Sequence, residues 1–350
     1  MVEYHCHDFD HNELLEEGEA FIRKVESWIA DGLAGKPPPG LSSRQRRNVT
    51  GPLNVDDDAS TFDNTKHLDL QPMIWDSFHS NINVSGMFFK PRRFTLVAFP
   101  DLKHIDSGVI LEVGTGNGSN VVPLLEQTPP SVTIWVTDIS RRALEIVGEQ
   151  LEKEHFHTID GQGWRDRVSL FQYDAVRGVV GKLYSDTTTD DDASESEIVD
   201  DRISLEPEGY GAATPLLSFT NSPPCQSLTG KTRATLAMFV LSAIPPSYHA
   251  TTFKTLASTL QLGGLLCFRD YGLYDLAMLR ADSVNVITNT LHRRGDGTLV
   301  TYFTPEQITL FMQDAGLTVD VSEYHTVKNT NRKKGVSMRR VFVHAVGRKT

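Results

Sequence analysis

Two stretches of the sequence bring together groups that can do chemistry. The first, LEVGTGNGSN, places Glu112, Gly114, Gly116 and Gly118 at the end of an apolar run, and the next two such runs close on Asp138 and Asp174. Glycine at a strand-to-helix turn lets backbone N–H groups approach a ligand closely. The dinucleotide fingerprint G-x-G-x-x-G needs glycine at position 119, which is Ser119, so the spacing reads E-x-G-x-G-x-G. An acid just before the loop suits a cationic, phosphate-free ligand such as S-adenosylmethionine better than a pyrophosphate. Asp138, about 20 residues beyond the glycines, stands where a ribose diol is held. Asp174 can accept from an adenine amino group. A plain structural turn is the alternative for the glycines alone, and three acids at three successive strand ends weigh against it.

The second stretch, FRDYGLYD, ends another apolar run on Asp270, Tyr271, Tyr274 and Asp275. Ligands of open α/β sheets bind at the carboxyl ends of strands, so these groups can form a pocket floor. The alternative is that Asp270 or Asp275 caps a helix while the tyrosines pack as core, and spacing does not choose between the two. Phe88, Phe89, Lys90, Arg92 and Arg93 combine stacking faces with phosphate-binding cations, as an RNA-facing segment would. An amphipathic helix with a solvated basic face reads equally well. His5, Cys6, His7 and His11 are metal-binding types, but adjacent ligands fit no usual zinc spacing, and no metal is expected. No Asn or Asp precedes Pro245 and Pro246, so Ser242 to Pro246 reads as a strand-to-helix turn.

The elements that position these groups follow from periodicity. Near-continuous apolar runs at 109–114, 132–138, 168–174, 234–244 and 264–270 alternate with helix-sized segments, which indicates an α/β fold with a mostly parallel sheet covered on both faces. Leu14, Phe21, Val25 and Trp28 predict an amphipathic helix over 12–31, ended by AGKPPPG. Residues 41–69 are polar and read as a linker or an arm that orders on binding. Thr304 and Gln307 form a capping-box pattern for a helix that Gly316 closes, and LTVDVSEY and SMRRVFVHAV supply two last strands. Residues 184–232 are acidic and turn-rich and are expected to be a disordered surface insert.

The 350 residues carry a formal charge of -11, which argues against wholesale coating of nucleic acid but leaves room for a local basic face. Lys328, Arg332, Lys333, Lys334, Arg339, Arg340, Arg348 and Lys349 follow the last acid, Glu323. Three scattered cysteines suggest neither a disulfide framework nor a zinc ribbon. With no leader and no membrane-length apolar run, the expected compartment is cytoplasmic or nuclear.

From WDSF (75–78) to the C-terminus, excluding the acidic insert, the chain resembles the eukaryotic tRNA 3-methylcytidine methyltransferases of the methyltransferase-like group. The motifs carrying the likeness are WDSF, FFK (88–90), FP (99–100), LEVGTGNG, FVLSAIP (239–245), FRDYGLYD and RGDGT (294–298). The resemblance implies a class I methyltransferase fold, with seven strands and an antiparallel last one, over 71–350 behind an N-terminal extension, 1–70. It also implies S-adenosylmethionine as donor and tRNA, at a cytidine of the anticodon loop, as acceptor. A helper protein, seryl-tRNA synthetase or a tRNA deaminase, is implied as well. On this likeness Asp270, Tyr271, Tyr274 and Asp275 form the acceptor pocket, and Phe239 joins Glu112, the glycines, Asp138 and Asp174 at the donor. Arg294, Arg332, Lys333 and Lys334 join the 88–93 segment on the RNA. The chain departs from the family in FFKPRRF, where members commonly show FFKDRxW, in Thr115 within GTG for GCG, and in His79 for a tyrosine. Another class I methyltransferase, acting on a small molecule or protein, and a non-enzymatic RNA- or partner-binding module are the competing readings.

Overall fold

Each apolar run bounded by glycine or an acid forms a strand. The computed structural model describes residues 6–36, 62–84, 90–153, 164–180, 227–331 and 336–350. The strands are β1 (Gly108–Val113), β2 (Val132–Asp138), β3 (Val168–Asp174), a two-residue β4 (Val179–Val180), β5 (Thr232–Met238), β6 (Leu260–Tyr271), the hairpin strands β7 (Leu291–Arg293) and β8 (Leu299–Thr301), and the long β9 (Leu317–Asn331) and β10 (Val336–Lys349). The α-helices are α1 (Leu15–Ala30), α2 (Asn64–Asn81), α3 (Thr95–Ala98), α4 (Val121–Gln127), α5 (Arg141–Lys153), α6 (His249–Thr259), α7 (Leu276–Leu279) and α8 (Pro305–Asp314).

The main sheet has the order β4-β3-β2-β1-β5-β6-β10-β9. β3, β2, β1, β5 and β6 pair in parallel, and β10 is antiparallel to both β6 and β9. These are the seven strands expected, with the last one antiparallel; the short β4, antiparallel to β3, adds an eighth at the edge. Strand alternation sends Ile110, Ile134 and Leu236 to one face, where they pack on Leu124, Leu144 and Val147 from α4 and α5. Leu111, Phe268 and Val343 face the other way, against Phe253, Leu256, Ile308 and Met312 from α6 and α8. The α8 capping box is present, with Gln307 N donating to Thr304 Oγ1 at 3.3 Å and Thr304 N to Gln307 Oε1 at 3.0 Å.

Three boundaries differ from expectation. β5 stops at Met238, because Phe239 takes a left-handed φ of 63° and donates its N–H to Arg269 O at 2.8 Å. Leu241 and Ile244 remain buried in the turn that follows, so the apolar run outlasts the strand. Helix α2 already begins at Asn64, capped by Asp63 Oδ1 on Thr65 N and Lys66 N, and it runs across the boundary drawn at 70/71. The rest of the linker, to residue 61, and residues 184–226 of the insert lie outside the described residues. The insert as drawn also takes in Thr232, which starts β5.

The N-terminal segment is tied to the far end of the chain. Thr326 N donates to Cys6 O at 2.7 Å and Asp8 N to Thr326 O at 2.9 Å, so these residues pair with β9. Helix α1 buries Phe21 and Val25, with Leu14 of the turn before it, in a cluster with Tyr274 and Met278. A Cβ at Gly18 would lie 2.3 Å from Tyr274 Cδ1, so the helix seats only because that position is glycine. Among the described residues no helix is long and apolar enough to cross a membrane.

Buried titratable groups give the fold a pH dependence. Burial lowers His79, His249 and His292 to about 4, His325 to about 2 and His344 to about 3. It raises Glu112 to about 7 and Asp138 and Asp270 to about 6. The histidines bind more protons unfolded, so their contribution to stability grows as pH rises toward 6.5. The carboxyls bind more protons folded, so theirs is lost as pH rises through 6 to 7. Between roughly pH 5 and 6 the five histidines outweigh the three carboxyls, and stability should rise with pH. Urea unfolding across that range measures the slope; a flat profile would mean that these imidazoles are not held neutral.

Candidate active site

The carboxyl ends of the parallel strands open into one cavity of about 580 Å³. On the β1 side its wall includes Gly114 and Gly116. Gly114 sits at φ 66°, and a Cβ there would lie 2.5 Å from Val240 Cγ2, so both conformation and space demand glycine. Asp138, closing β2, accepts Gly116 N on Oδ2 and Ser140 N on Oδ1, each at 2.9 Å. A carboxylate has about four acceptor positions, so Asp138 retains lone pairs for hydroxyls in the cavity. Trp75 and His79 of α2 line the same side. Asp76 between them anchors the helix by accepting from Ser140 Oγ at 2.5 Å and Arg142 N at 3.2 Å. Burial keeps the His79 ring neutral, and Nδ1 lies 3.0 Å from Asn83 Nδ2. Apolar Ile139, Val176 and Ile244 complete a half-cavity with a diol acceptor and a glycine turn, and this set fits S-adenosylmethionine.

Of the other acids and glycines expected at the donor, two lie behind the turn and one is in the wall. Glu112 is buried beneath the loop, accepting from Asn120 Nδ2 at 2.8 Å and Thr115 Oγ1 at 3.1 Å; it holds the turn and is not in the cavity wall. Gly118, at φ 72°, packs against Val147 and likewise shapes the turn from behind. Asp174 does reach the wall, but its oxygens accept Val176 N, Arg177 N and Arg177 Nη1 at 2.8–3.0 Å, which ties it to its own turn.

The other half of the cavity is aromatic and basic. The Phe239 and Tyr271 rings lie 5.3 Å apart, and Phe342, paired with Tyr271 across β6 and β10, is 5.5 Å from Phe239. Guanidinium groups cover these rings: Arg92 over Phe239 at 5.0 Å, Arg294 over Tyr271 at 5.2 Å, and Arg269 over Phe342 at 4.9 Å. Of the FRDYGLYD groups, only Tyr271 and Arg269 are in the wall. Asp270 is fully buried, accepting Ser242 N and Tyr271 N at 2.9 Å each, so it braces the loop under the pocket. Tyr274, at φ 66°, turns into the α1 cluster and stacks on His11. Asp275 caps α7 through Ala277 N at 2.9 Å and takes Arg340 Nε at 2.8 Å and Val341 N at 2.9 Å. The cap and core readings therefore hold for Asp275 and Tyr274: a chain leaving β6 must satisfy the N-terminus of α7 and the Val341 N–H inside β10.

Lys90, Arg92 and Arg294 are in the wall, whereas Arg93 pairs with Glu126 on the surface. Phe88, Phe89, Arg332, Lys333 and Lys334 lie outside the described residues. Sequence reasoning gave no site role to Trp75, Arg340 or Phe342. For the last two the signal was the i, i+2 spacing in RRVF, which puts both on one face of a strand. His325 comes from β9 to Cys6 and His7, with ligand atoms within 4.8 Å of one another. Its Nδ1 accepts from Arg269 Nη1 at 2.8 Å, which puts the ring proton on Nε2, directed at Glu323 Oε1 at 3.1 Å. In this state His325 has no lone pair to give a metal.

Residues 86–321 match the model of a family described as "Methyltransferase domain". The chain is 29% identical over 286 residues to the tRNA N(3)-methylcytidine methyltransferase Mettl2 of Drosophila melanogaster, covering 79% of this chain and 71% of that protein. It is 27% identical over 276 residues to the tRNA N(3)-cytidine methyltransferase METTL6 of Homo sapiens (77% and 78% covered). It is 28% identical over 284 residues to the tRNA N(3)-methylcytidine methyltransferase trm141 of Schizosaccharomyces pombe (79% and 91%). With a parallel sheet and a glycine turn bound to Asp138 in place, the chain belongs to the methyltransferase domain family.

Proposed function

We infer that this chain is an S-adenosylmethionine-dependent tRNA methyltransferase that forms 3-methylcytidine. The observation that carries the reading is the single cavity in which the Gly114–Asp138 side meets the aromatic side at Phe239 and Tyr271. The similar relatives named for this reaction support it.

When bound, S-adenosylmethionine supplies an electrophilic methyl group on a sulfonium. Cytosine N3 carries a free lone pair at neutral pH, so the chain's residues need to orient and enclose the base more than to remove a proton. N3 lies on the Watson-Crick edge, which requires an unpaired, everted cytidine. Tyr271, Phe239 and Phe342 offer the faces for that base, and Asp138 with Gly116 holds the donor side still. The decisive experiment is mass spectrometry of nucleosides from tRNA incubated with the purified protein and S-adenosylmethionine. Appearance of 3-methylcytidine supports the reading; methyl transfer to a metabolite or protein alone overturns it.

The acceptor site is a cytidine in the anticodon loop, reached with a helper such as seryl-tRNA synthetase or a tRNA deaminase. The basic run Arg332, Lys333 and Lys334 contacts tRNA phosphates. Neutralising all three should weaken tRNA binding and flatten its log-log salt slope by roughly 2 to 3. An unchanged slope would remove the run from the interface.

A further inference from the structure

We propose that the aromatic side of the cavity contains a seat for a phosphate of the nucleotide being methylated, with Arg294 and Arg340 as its ligands. The proposal rests on the tRNA reading above and goes beyond it by bringing the acceptor's backbone into the cavity.

Charge balance is the first argument. Lys90, Arg92, Arg269, Arg294 and Arg340 line the cavity, against two carboxylates, Asp138 and Asp174, both at the strand ends of the donor side. The bound donor is cationic at sulfur, and a cytosine methylated at N3 is a cation as well. Like charges a few ångströms apart in a partly enclosed cavity repel strongly. Guanidiniums at the rings that receive the base would therefore oppose the reaction unless an anion lies among them. The two nearby carboxylates stay behind the wall: Asp275 takes Arg340 Nε, and Asp270 is fully buried and accepts from Ser242 N and Tyr271 N.

Geometry picks out two of the arginines. Arg269 is committed to His325 Nδ1, and Arg92 lies over Phe239. Arg294 and Arg340 lie over one ring, Tyr271, at 5.2 and 5.7 Å. Arg340 is aimed by Asp275, which takes its Nε at 2.8 Å, and by a side-chain hydrogen bond to Tyr271. Arg294 opens the β7–β8 turn, whose shape is set by Asp296 accepting Thr298 N at 2.9 Å and Thr298 Oγ1 at 2.6 Å. Asn329 adds an amide to the same wall. Preorganised guanidinium forks that stack on an aromatic face match the tetrahedral oxygens of a phosphate. A base lying against Tyr271 or Phe239 would bring its own phosphate to them.

The test is ligand-observed NMR titration of the full chain, saturated with S-adenosylhomocysteine, with cytidine, 5′-CMP and 3′-CMP at up to millimolar concentration. At least one nucleotide should bind roughly tenfold or more tightly than cytidine, and which one does so tells which phosphate enters. Arg294→Ala should erase that advantage, and Arg294→Lys should restore part of it, with S-adenosylhomocysteine affinity reporting that each variant is folded. Equal binding of cytidine and both nucleotides, no nucleotide binding at all, or an advantage that survives Arg294→Ala overturns the proposal. If tRNA gains no 3-methylcytidine while the Arg294-dependent advantage persists, the tRNA reading fails and the phosphate seat stands.

Discussion

Asp275→Ala is expected to destabilise the protein by about 3–5 kcal/mol, the range for removing one partner of a buried ion pair. The carboxylate has no exposed surface and accepts Arg340 Nε, Val341 N and Ala277 N together. Without it the Arg340 charge loses its partner, the Val341 N–H is unpaired beside β6, and α7 loses its cap. Denaturant unfolding measures the loss. Asp275→Asn, which keeps one acceptor oxygen without the charge, should fall between wild type and the alanine variant. A loss under about 1 kcal/mol would place the pair among ordinary surface salt bridges and refute its role in holding the cavity wall.

Asp138→Ala should weaken S-adenosylmethionine binding by roughly 1.5–3 kcal/mol, about 10- to 150-fold, the range for a hydrogen bond to a charged group. The same substitution frees Gly116 N and Ser140 N, so the glycine turn loosens as well. Calorimetry with S-adenosylmethionine reads the effect. Burial raises the Asp138 pKa to about 6, and only the ionised form accepts from both hydroxyls of a diol. Donor affinity should accordingly fall as pH drops through 6, and the alanine variant should lack that inflection. Unchanged affinity in Asp138→Ala would take the residue out of the site.

The parallel sheet was legible because β1, β2 and β3 are buried on both faces and read as continuous apolar runs, each closed by its functional turn or acid. Gly114, Gly116 and Asp138 were legible for the same reason, since position along a strand fixes where its end lies. Asp275 was not, because an acid directly before an apolar segment caps a helix or faces a ligand with the same spacing. The choice was made by Val341 and Arg340, some 65 residues away. Arg340 and Phe342 were missed because antiparallel pairing of β10 with β6 brings Phe342 opposite Tyr271, and no local pattern encodes that register. Glu112 was misread for a subtler reason. A buried acid that must hold Thr115 and Asn120 looks, in sequence, like one that faces a cation.

The pairing of the first residues with β9 bears on the order in which the chain assembles. Gly116 and Asp138 are 22 positions apart, whereas Phe9 and Thr326 are 317 apart. Closing the longer loop costs about 2.4 kcal/mol more chain entropy than closing the shorter one. The N-terminal segment and α1 are made well before their partners at Tyr274 and on β9. A nascent chain can therefore form the half that carries Gly116 and Asp138 while the N-terminal segment is still unpaired, and the wall at Tyr271 and Phe342 closes only once β10 has been made.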